Sequence, residues 1–185
     1  MTEKFPTINS TLSPNELGKR IQQKYGLGNK TECSIFRLAM NHLYLVHDDE
    51  KKYVFRVYTY NWRTKLEIEE ELRLLLHLKE AERQVAFPIV DKSNNYIQEI
   101  EAPEGKRSGV LFSYAKGTKT AKFSKQTSFL IGKALAKVHQ STENFELKRI
   151  SYNTQTLINS SILRTREFFN KKITKLNFWK NWLLF

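Results

Sequence analysis

The sequence predicts an α+β fold. It has a lobe of about five antiparallel strands with one long helix inserted after the third, followed by the first helices of a second, helical lobe. Three observations predict it. Residues 32–59 are rich in β-branched and aromatic residues and are punctuated by MNH and HDDEKK, a pattern of strands joined by tight turns. Residues 63–84, RTKLEIEEELRLLLHLKEAERQ, form a long run of good helix formers with acids leading. After that run, NYIQEI and SGVLFSY are strand-like again, with Pro103 and Gly105 in the turn between them.

The first element is a helix in SPNELGKRIQQKYGL. Ser13 suits the N-cap, Pro14 the first helical position and Glu16 a capping box, and Gly26 and Gly28 stop it. Three strands follow, near 32–39, 42–47 and 52–59, and then the long helix at 64–82. FPIVDKSNNYIQEIEAPEGKRSGVLFSY returns the chain to strands. AKGTKTAKF reads as a loop. SKQTSFLIGKALAKVHQST is a helix capped by Ser124 and apolar at Leu130, Ala134, Leu135 and Val138. Residues 155–185 read as ragged helix ending on the apolar NFWKNWLLF. The predicted division is a lobe over 1–115, with its N-terminal helix, and a loop and helices over 116–185.

Composition sets the outer limits. The chain has 185 residues, 40% hydrophobic and 27% charged, as soluble globular chains do. Its apolar runs are too short to span a bilayer, and MTEKFPTINS lacks the basic-then-apolar pattern of a secretory signal. Cys33 is the single cysteine; it reads as a small buried apolar residue in a reducing cytoplasm rather than as a nucleophile. Net charge is +12, from 31 basic and 19 acidic residues, which attracts phosphate in any form. The four histidines show no metal-ligand spacing. A basic nucleic-acid-binding module is the alternative from another class. Against it, the cations are not interleaved with aromatics on any one element, and no helix-turn-helix, RNP or zinc signature is present.

One residue breaks the pattern of the long helix. In EIEEELRLLLHL, Ile68, Glu71, Leu75 and Leu78 fall on one face, so a carboxylate sits in an oily stripe. Burying it demands a cation. Arg56, in mid-strand within KYVFRVY, is the candidate; Val54, Arg56 and Tyr58 share one strand face, and Phe55 and Val57 the other. Two ordinary half-exposed surface charges are the plain alternative. A strand cation paired with a helix glutamate, on a five-stranded lobe with one inserted helix, is the arrangement of protein-kinase-like enzymes.

With AMNHLYLV, KYVFRVY, EIEEELRLLLHL, EAPEGKRSGVLFSYAKG and IGKALAKVHQST in this order, the chain resembles the aminoglycoside phosphotransferase superfamily. Within it, the likeness is to the branch of type II homoserine kinases and bacterial stress-response kinases. The resemblance covers roughly residues 10–145 and implies a protein-kinase-like N-lobe followed by the start of an incomplete helical C-lobe. It implies ATP as the bound nucleotide, with Mg2+ accompanying it. Arg56 resembles the cation that grips the phosphates, and Glu71 its ion-pair partner. The backbone of Ser113, Tyr114 and Ala115 resembles the hinge that binds the adenine edge. Asn41 falls in the hairpin turn over the phosphates, where a turn-forming role competes with a phosphate-side one. His139 matches a family position and reads as packing or capping.

The family's catalytic loop, of the type H-G-D-x-H-x-x-N, and its later magnesium-binding aspartate have no counterpart in these residues. HDD at His47–Asp49 lies in a turn before the third strand, and Asp91 is the last aspartate. The resemblance therefore implies a nucleotide-binding portion of a kinase for a small-molecule or Ser/Thr hydroxyl, inactive alone. A truncated gene product is the favoured explanation. A split enzyme whose C-lobe is a partner chain, and a pseudokinase-like interaction module, compete with it.

Overall fold

The alternating residues after the first helix resolve into three strands: β1 (Glu32–Leu38), β2 (His42–Asp48) and β3 (Lys51–Val57). They pair antiparallel in chain order, with Leu43 opposite Arg56 and Leu45 opposite Val54. These features come from a computed structural model that describes residues 7–49, 51–117 and 122–168. Packing divides the chain into two units, Met1–Leu147 and Lys148–Phe185.

The centre of the first unit is β6 (Gly105–Ser113). One edge of β6 pairs with β3, from Val57–Gly109 to Tyr53–Ser113. Its other edge pairs with β5 (Ile97–Ala102) and then with the two-residue β4 (Pro88–Ile89). The six-stranded sheet runs β1-β2-β3-β6-β4, with β5 also on β6. Pro103 and Glu104 form the β5–β6 turn. β3 ends two residues short of its predicted end, and Tyr58, just beyond it, still donates its N–H to the Ser108 carbonyl of β6, at 2.8 Å and in register with the ladder.

Each face of the sheet carries its own core. One face packs Tyr44, Val46, Phe55, Val57, Ile100 and Leu111 against Leu17 and Ile21 of α1 (Pro14–Tyr25). The other packs Val110, Phe112 and Tyr58 against Ile68 and Leu72 of α2 (Lys65–Glu80). Side-chain alternation along β3 thus sends Phe55 and Val57 to α1 and leaves Arg56 on the α2 side.

The helix ends differ from expectation. Ser13 occupies the N-cap of α1, but its side chain makes no cap bond, and Glu16 reaches Lys19 at 2.7 Å instead of turning back. Ser13 is exposed, and an exposed helix start leaves its first donors open to solvent instead of requiring a side-chain cap. Gly26 closes α1 with φ 68°, the left-handed conformation glycine adopts without penalty. The capping box sits on α2. Thr64 Oγ1 accepts from Glu67 N–H at 3.2 Å, and Glu67 Oε2 accepts from Thr64 N–H at 2.9 Å. Ile68, Glu70, Leu72 and Leu78 are the buried residues of α2, so the stripe expected at Ile68, Glu71, Leu75 and Leu78 is shifted. The Ile68–Leu72 row meets Val110 and Phe112, and Glu71 and Leu75 stand half-buried beside it. Glu70 is held by Arg73 through two bonds, at 2.8 and 3.1 Å.

The helix α3 (Lys125–Thr142) begins at Ser124, whose hydroxyl accepts from Thr127 N–H at 3.1 Å. Its predicted apolar positions Leu130, Ala134 and Leu135 are exposed, and Val138 is half-buried. The C-terminal end of α3 meets α2, where His77 Nε2 lies 2.6 Å from the Ser141 carbonyl and its ring packs at a tilt of 37° against Phe145. His139 is exposed in the last turn, so the packing role expected of it is not seen. In the second unit, a π-helical turn (Gln155–Asn159) leads into α4 (Ser160–Phe168). NFWKNWLLF lies outside the described residues. Among the described residues, no helix is long and apolar enough to cross a membrane. Cys33 is half-buried, and burial pushes its thiol up to about 11, which argues against a nucleophile.

Candidate nucleotide-binding site

The strand cation and the helix carboxylate meet. Arg56 Nη1 donates to Glu71 Oε1 at 2.5 Å, with the two side chains 29% and 25% exposed. The pair is neither deeply buried nor free in solvent. β3 supplies Arg56 from its centre, and α2 supplies Glu71 from its second turn, carried over the sheet by the Ile68 and Leu72 contacts. Burial alone would lower the Arg56 pKa. The neighbouring Tyr58 hydroxyl and Glu71 carboxylate outweigh it and raise the pKa above the ordinary arginine value.

Two aromatic residues complete the setting. The Arg56 guanidinium carbon lies 4.7 Å from the Phe112 ring centroid and 5.7 Å from that of Tyr58, within cation–π range. Arg56 Nη1 also points to Tyr58 Oη at 3.4 Å, and Tyr58 Oη donates to Glu71 Oε2 at 3.4 Å. Burial, and then the Glu71 carboxylate, push the Tyr58 phenol up to about 12, so it stays a protonated donor at neutral pH. Leu43, Leu45 and Val54 lie on the same sheet face as Arg56, half-buried, and give that face an apolar surface beside a cation.

The other predicted positions lie around this centre. Asn41 sits in the β1–β2 turn, and its Oδ1 accepts the Thr59 N–H at 3.3 Å; Thr59 Oγ1 donates in turn to the Met40 carbonyl. Asn41 therefore ties the hairpin turn to the chain leaving β3. Ser113 ends β6, Tyr114 and Ala115 follow it, and the Ser113 N–H is taken by the Phe87 carbonyl at 2.9 Å. That commitment removes one donor from the expected hinge set. A cavity of about 530 Å³ opens at the end of β6, lined by Lys52, Tyr53, Ser113, Tyr114 and Lys116 among others. Lys52 Nζ lies 6.0 Å from the Tyr114 ring centroid.

Sequence reasoning missed Phe112 and the bridging role of Tyr58. The strand alternation that groups Val54, Arg56 and Tyr58 held the signal for Tyr58; Phe112 comes from a strand distant in sequence. It also missed a second ion pair, on the α1 face. Arg107 Nη1 and Glu104 Oε1 lie 3.3 Å apart, 0% and 1% exposed. Arg107 Nε donates to the Tyr58 carbonyl at 2.9 Å and Nη1 to the Ser10 carbonyl at 2.8 Å.

Comparison with known proteins gives the family of the chain. The model of the phosphotransferase enzyme family (APH) matches residues 37–170. The chain belongs to this family. An uncharacterized protein of Synechocystis sp. (strain PCC 6803) is 36% identical over 143 residues, which cover 77% of this chain and 40% of that protein. An uncharacterized protein of Deinococcus radiodurans is 28% identical over 141 residues, covering 76% and 41%. The chain thus spans about two fifths of the length of the curated relatives it matches. Among solved structures, a microcompartment-associated aminopropanol kinase superposes with a TM-score of 0.66 at 18% identity, over 80% of this chain and 47% of that one. An amicoumacin kinase in complex with AMP-PNP, Ca2+ and Ami gives 0.64 at 14%, over 86% and 55%. A spectinomycin phosphotransferase in complex with ADP and spectinomycin gives 0.57 at 12%, over 93% and 54%. At these identities the likeness is one of fold. Arg56 and Glu71 both lie within the residues that the family model matches.

Proposed function

We propose that this chain is the nucleotide-holding portion of an ATP-dependent phosphotransferase whose acceptor is a hydroxyl of a small molecule or of a protein Ser or Thr. The Arg56–Glu71 contact carries this reading. A guanidinium held by a carboxylate at one edge keeps other N–H edges for phosphate oxygens, which it binds as a planar fork. Leu43, Leu45 and Val54 offer the adjoining apolar surface to a base. The Ser113 carbonyl and the Tyr114 and Ala115 backbone supply its edge contacts. Asn41 braces the hairpin above the phosphates. The solved relatives carrying AMP-PNP or ADP support a nucleotide as the ligand. Residues 1–115 form the nucleotide lobe in this reading and 116–185 the start of the helical lobe, in a cytoplasmic setting where ATP and reduced thiols coexist.

Phosphoryl transfer needs an acid to receive the acceptor's proton and acids to hold metal. The sequence has no aspartate beyond Asp91. Glu71 is engaged by Arg56 and Tyr58. Among the described residues, no group of three His, Cys, Asp or Glu side chains is arranged to hold a metal ion. Arg56 and its neighbours fit nucleotide phosphates, and in this reading any magnesium arrives with the triphosphate. The exposed apolar residues Phe129, Leu130, Ile131 and Leu135 of α3 favour one second reading, an interaction module that keeps the lobe as a scaffold. Calorimetry with ATP and ADP, with and without Mg2+, separates the two. Binding at or below about millimolar nucleotide, weakened about tenfold or more by Arg56→Ala, supports the first. The absence of binding at millimolar nucleotide overturns it.

A further inference from the structure

We infer that Tyr58 is a positioning residue for nucleotide phosphates: with Phe112 it locks the Arg56 guanidinium into one plane and tunes the site to arginine rather than lysine. The inference rests on the nucleotide-binding reading and adds residues that it does not need. Two observations carry it. Arg56 Nη1, Tyr58 Oη and Glu71 form a closed ring of hydrogen bonds, with Arg56 to Glu71 at 2.5 Å, Arg56 to Tyr58 at 3.4 Å and Tyr58 to Glu71 at 3.4 Å. Glu71 therefore accepts at both carboxylate oxygens, and its plane is fixed from two directions. The guanidinium also lies against two aromatic rings, with centroids at 4.7 and 5.7 Å.

Each contact suits a flat, delocalised cation with several donors. An ammonium is a compact point charge; it gains less from two flanking rings and has no rigid plane to lock. Tyr58 is itself fixed, because its N–H donates to the Ser108 carbonyl and its carbonyl accepts from Arg107 Nε. Its ring is buried in the cluster with Ile68, Leu72, Val110 and Phe112. The two bonds to its hydroxyl are long for this atom pair; catalytic-site bonds of this kind shorten when a ligand fixes the cation. The consequence is specific to phosphate. Removing the hydroxyl loosens Arg56 and leaves the apolar surface for the base intact.

The test measures affinities of the full chain for ADP and for adenosine, in wild type, Tyr58→Phe, Phe112→Leu, Arg56→Ala, Arg56→Lys and the double variant Arg56→Lys with Tyr58→Phe, with a thermal melt of each. Tyr58→Phe is expected to weaken ADP about fivefold, the weight of one modest hydrogen bond, with adenosine unchanged. Phe112→Leu is expected to weaken ADP about threefold. Arg56→Lys is expected to weaken ADP in the wild-type background, and by a smaller factor when combined with Tyr58→Phe, since the lysine never used the lock. Equal weakening of ADP and adenosine by Tyr58→Phe would mean a structural role alone and overturn the inference. So would unchanged ADP affinity in Tyr58→Phe while Arg56→Ala abolishes binding, and in that case nucleotide binding itself survives. Wild-type protein that fails to bind ADP removes both.

Discussion

Arg56 and Arg107 show how burial decides what an ion pair is worth. The Arg56 and Glu71 side chains keep 29% and 25% of their exposure, so removing one partner costs about 1–2 kcal/mol, between the surface and buried limits. Arg107 and Glu104 keep 0% and 1%, and Arg107 Nη2 and Glu104 Oε2 have no hydrogen-bond partner. Arg107→Ala is therefore expected to cost about 3–5 kcal/mol in urea unfolding, by stranding Glu104. Arg107→Met combined with Glu104→Leu should recover most of that loss; a double variant as unstable as the single one would contradict this. His42 lies in the same polar cluster, within 3.3 Å of Asn9 Nδ2. Burial, and then the Arg107 charge, hold its imidazole below its ordinary pKa. The unfolded chain takes up this proton near pH 6.5, where the folded one resists it. The stabilising contribution is thus complete above about pH 6.5 and is lost as pH falls from there through the lowered folded value. Unfolding free energies measured from pH 8 to 5 should show this loss, and His42→Gln should flatten it.

At the scale of elements, local chemistry was legible and long-range partnership was not. The order of strands and the two longer helices followed from periodicity, and Ser124 and Gly26 acted as predicted. Ser13 did not, because an exposed helix start has water as an alternative partner. The capping box on Thr64 and Glu67 matched a readable pattern, T-x-x-E, that was overlooked. It predicts that Thr64→Ala costs about 1 kcal/mol of unfolding free energy, a loss that a melt or urea titration reads directly. Glu71 was legible as a misplaced acid and Arg56 as its cation, since one pattern break implied the other. Phe112 was not, because β6 meets β3 across about fifty residues of chain; Arg107 and Glu104 are only three residues apart, but the Ser10 and Tyr58 carbonyls that bury the pair come from distant segments. β6 also explains Gly109. A Cβ there would lie 2.5 Å from Phe55 Cζ and 3.0 Å from Ile100 Cδ1. Gly109→Ala should therefore cost about 1–3 kcal/mol by overpacking, and a neutral result would refute the close approach.

At the scale of the whole molecule, charge and apolar exposure point in different directions. A net charge of +12 favours anionic ligands and keeps copies apart. On α3, Phe129, Leu130, Ile131 and Leu135 are exposed, between 49% and 70%, a grouping that soluble monomers seldom carry uncovered. The purified chain should bind a hydrophobic dye and associate more strongly as salt screens its charge; Phe129→Ser with Leu135→Ser should reduce both effects. The family assignment and the lobe architecture rest on ground independent of that surface. What joins them to a biochemical role is the place where ligand sits on the sheet. An amide NMR titration of the full chain with ADP tests this most directly. Expected are shifts concentrated at Leu43, Leu45, Val54, Arg56 and Ser113–Ala115, lost in Arg56→Ala. Shifts confined to the α1 face, or none at millimolar ADP, would contradict a nucleotide site built on Arg56 and Glu71.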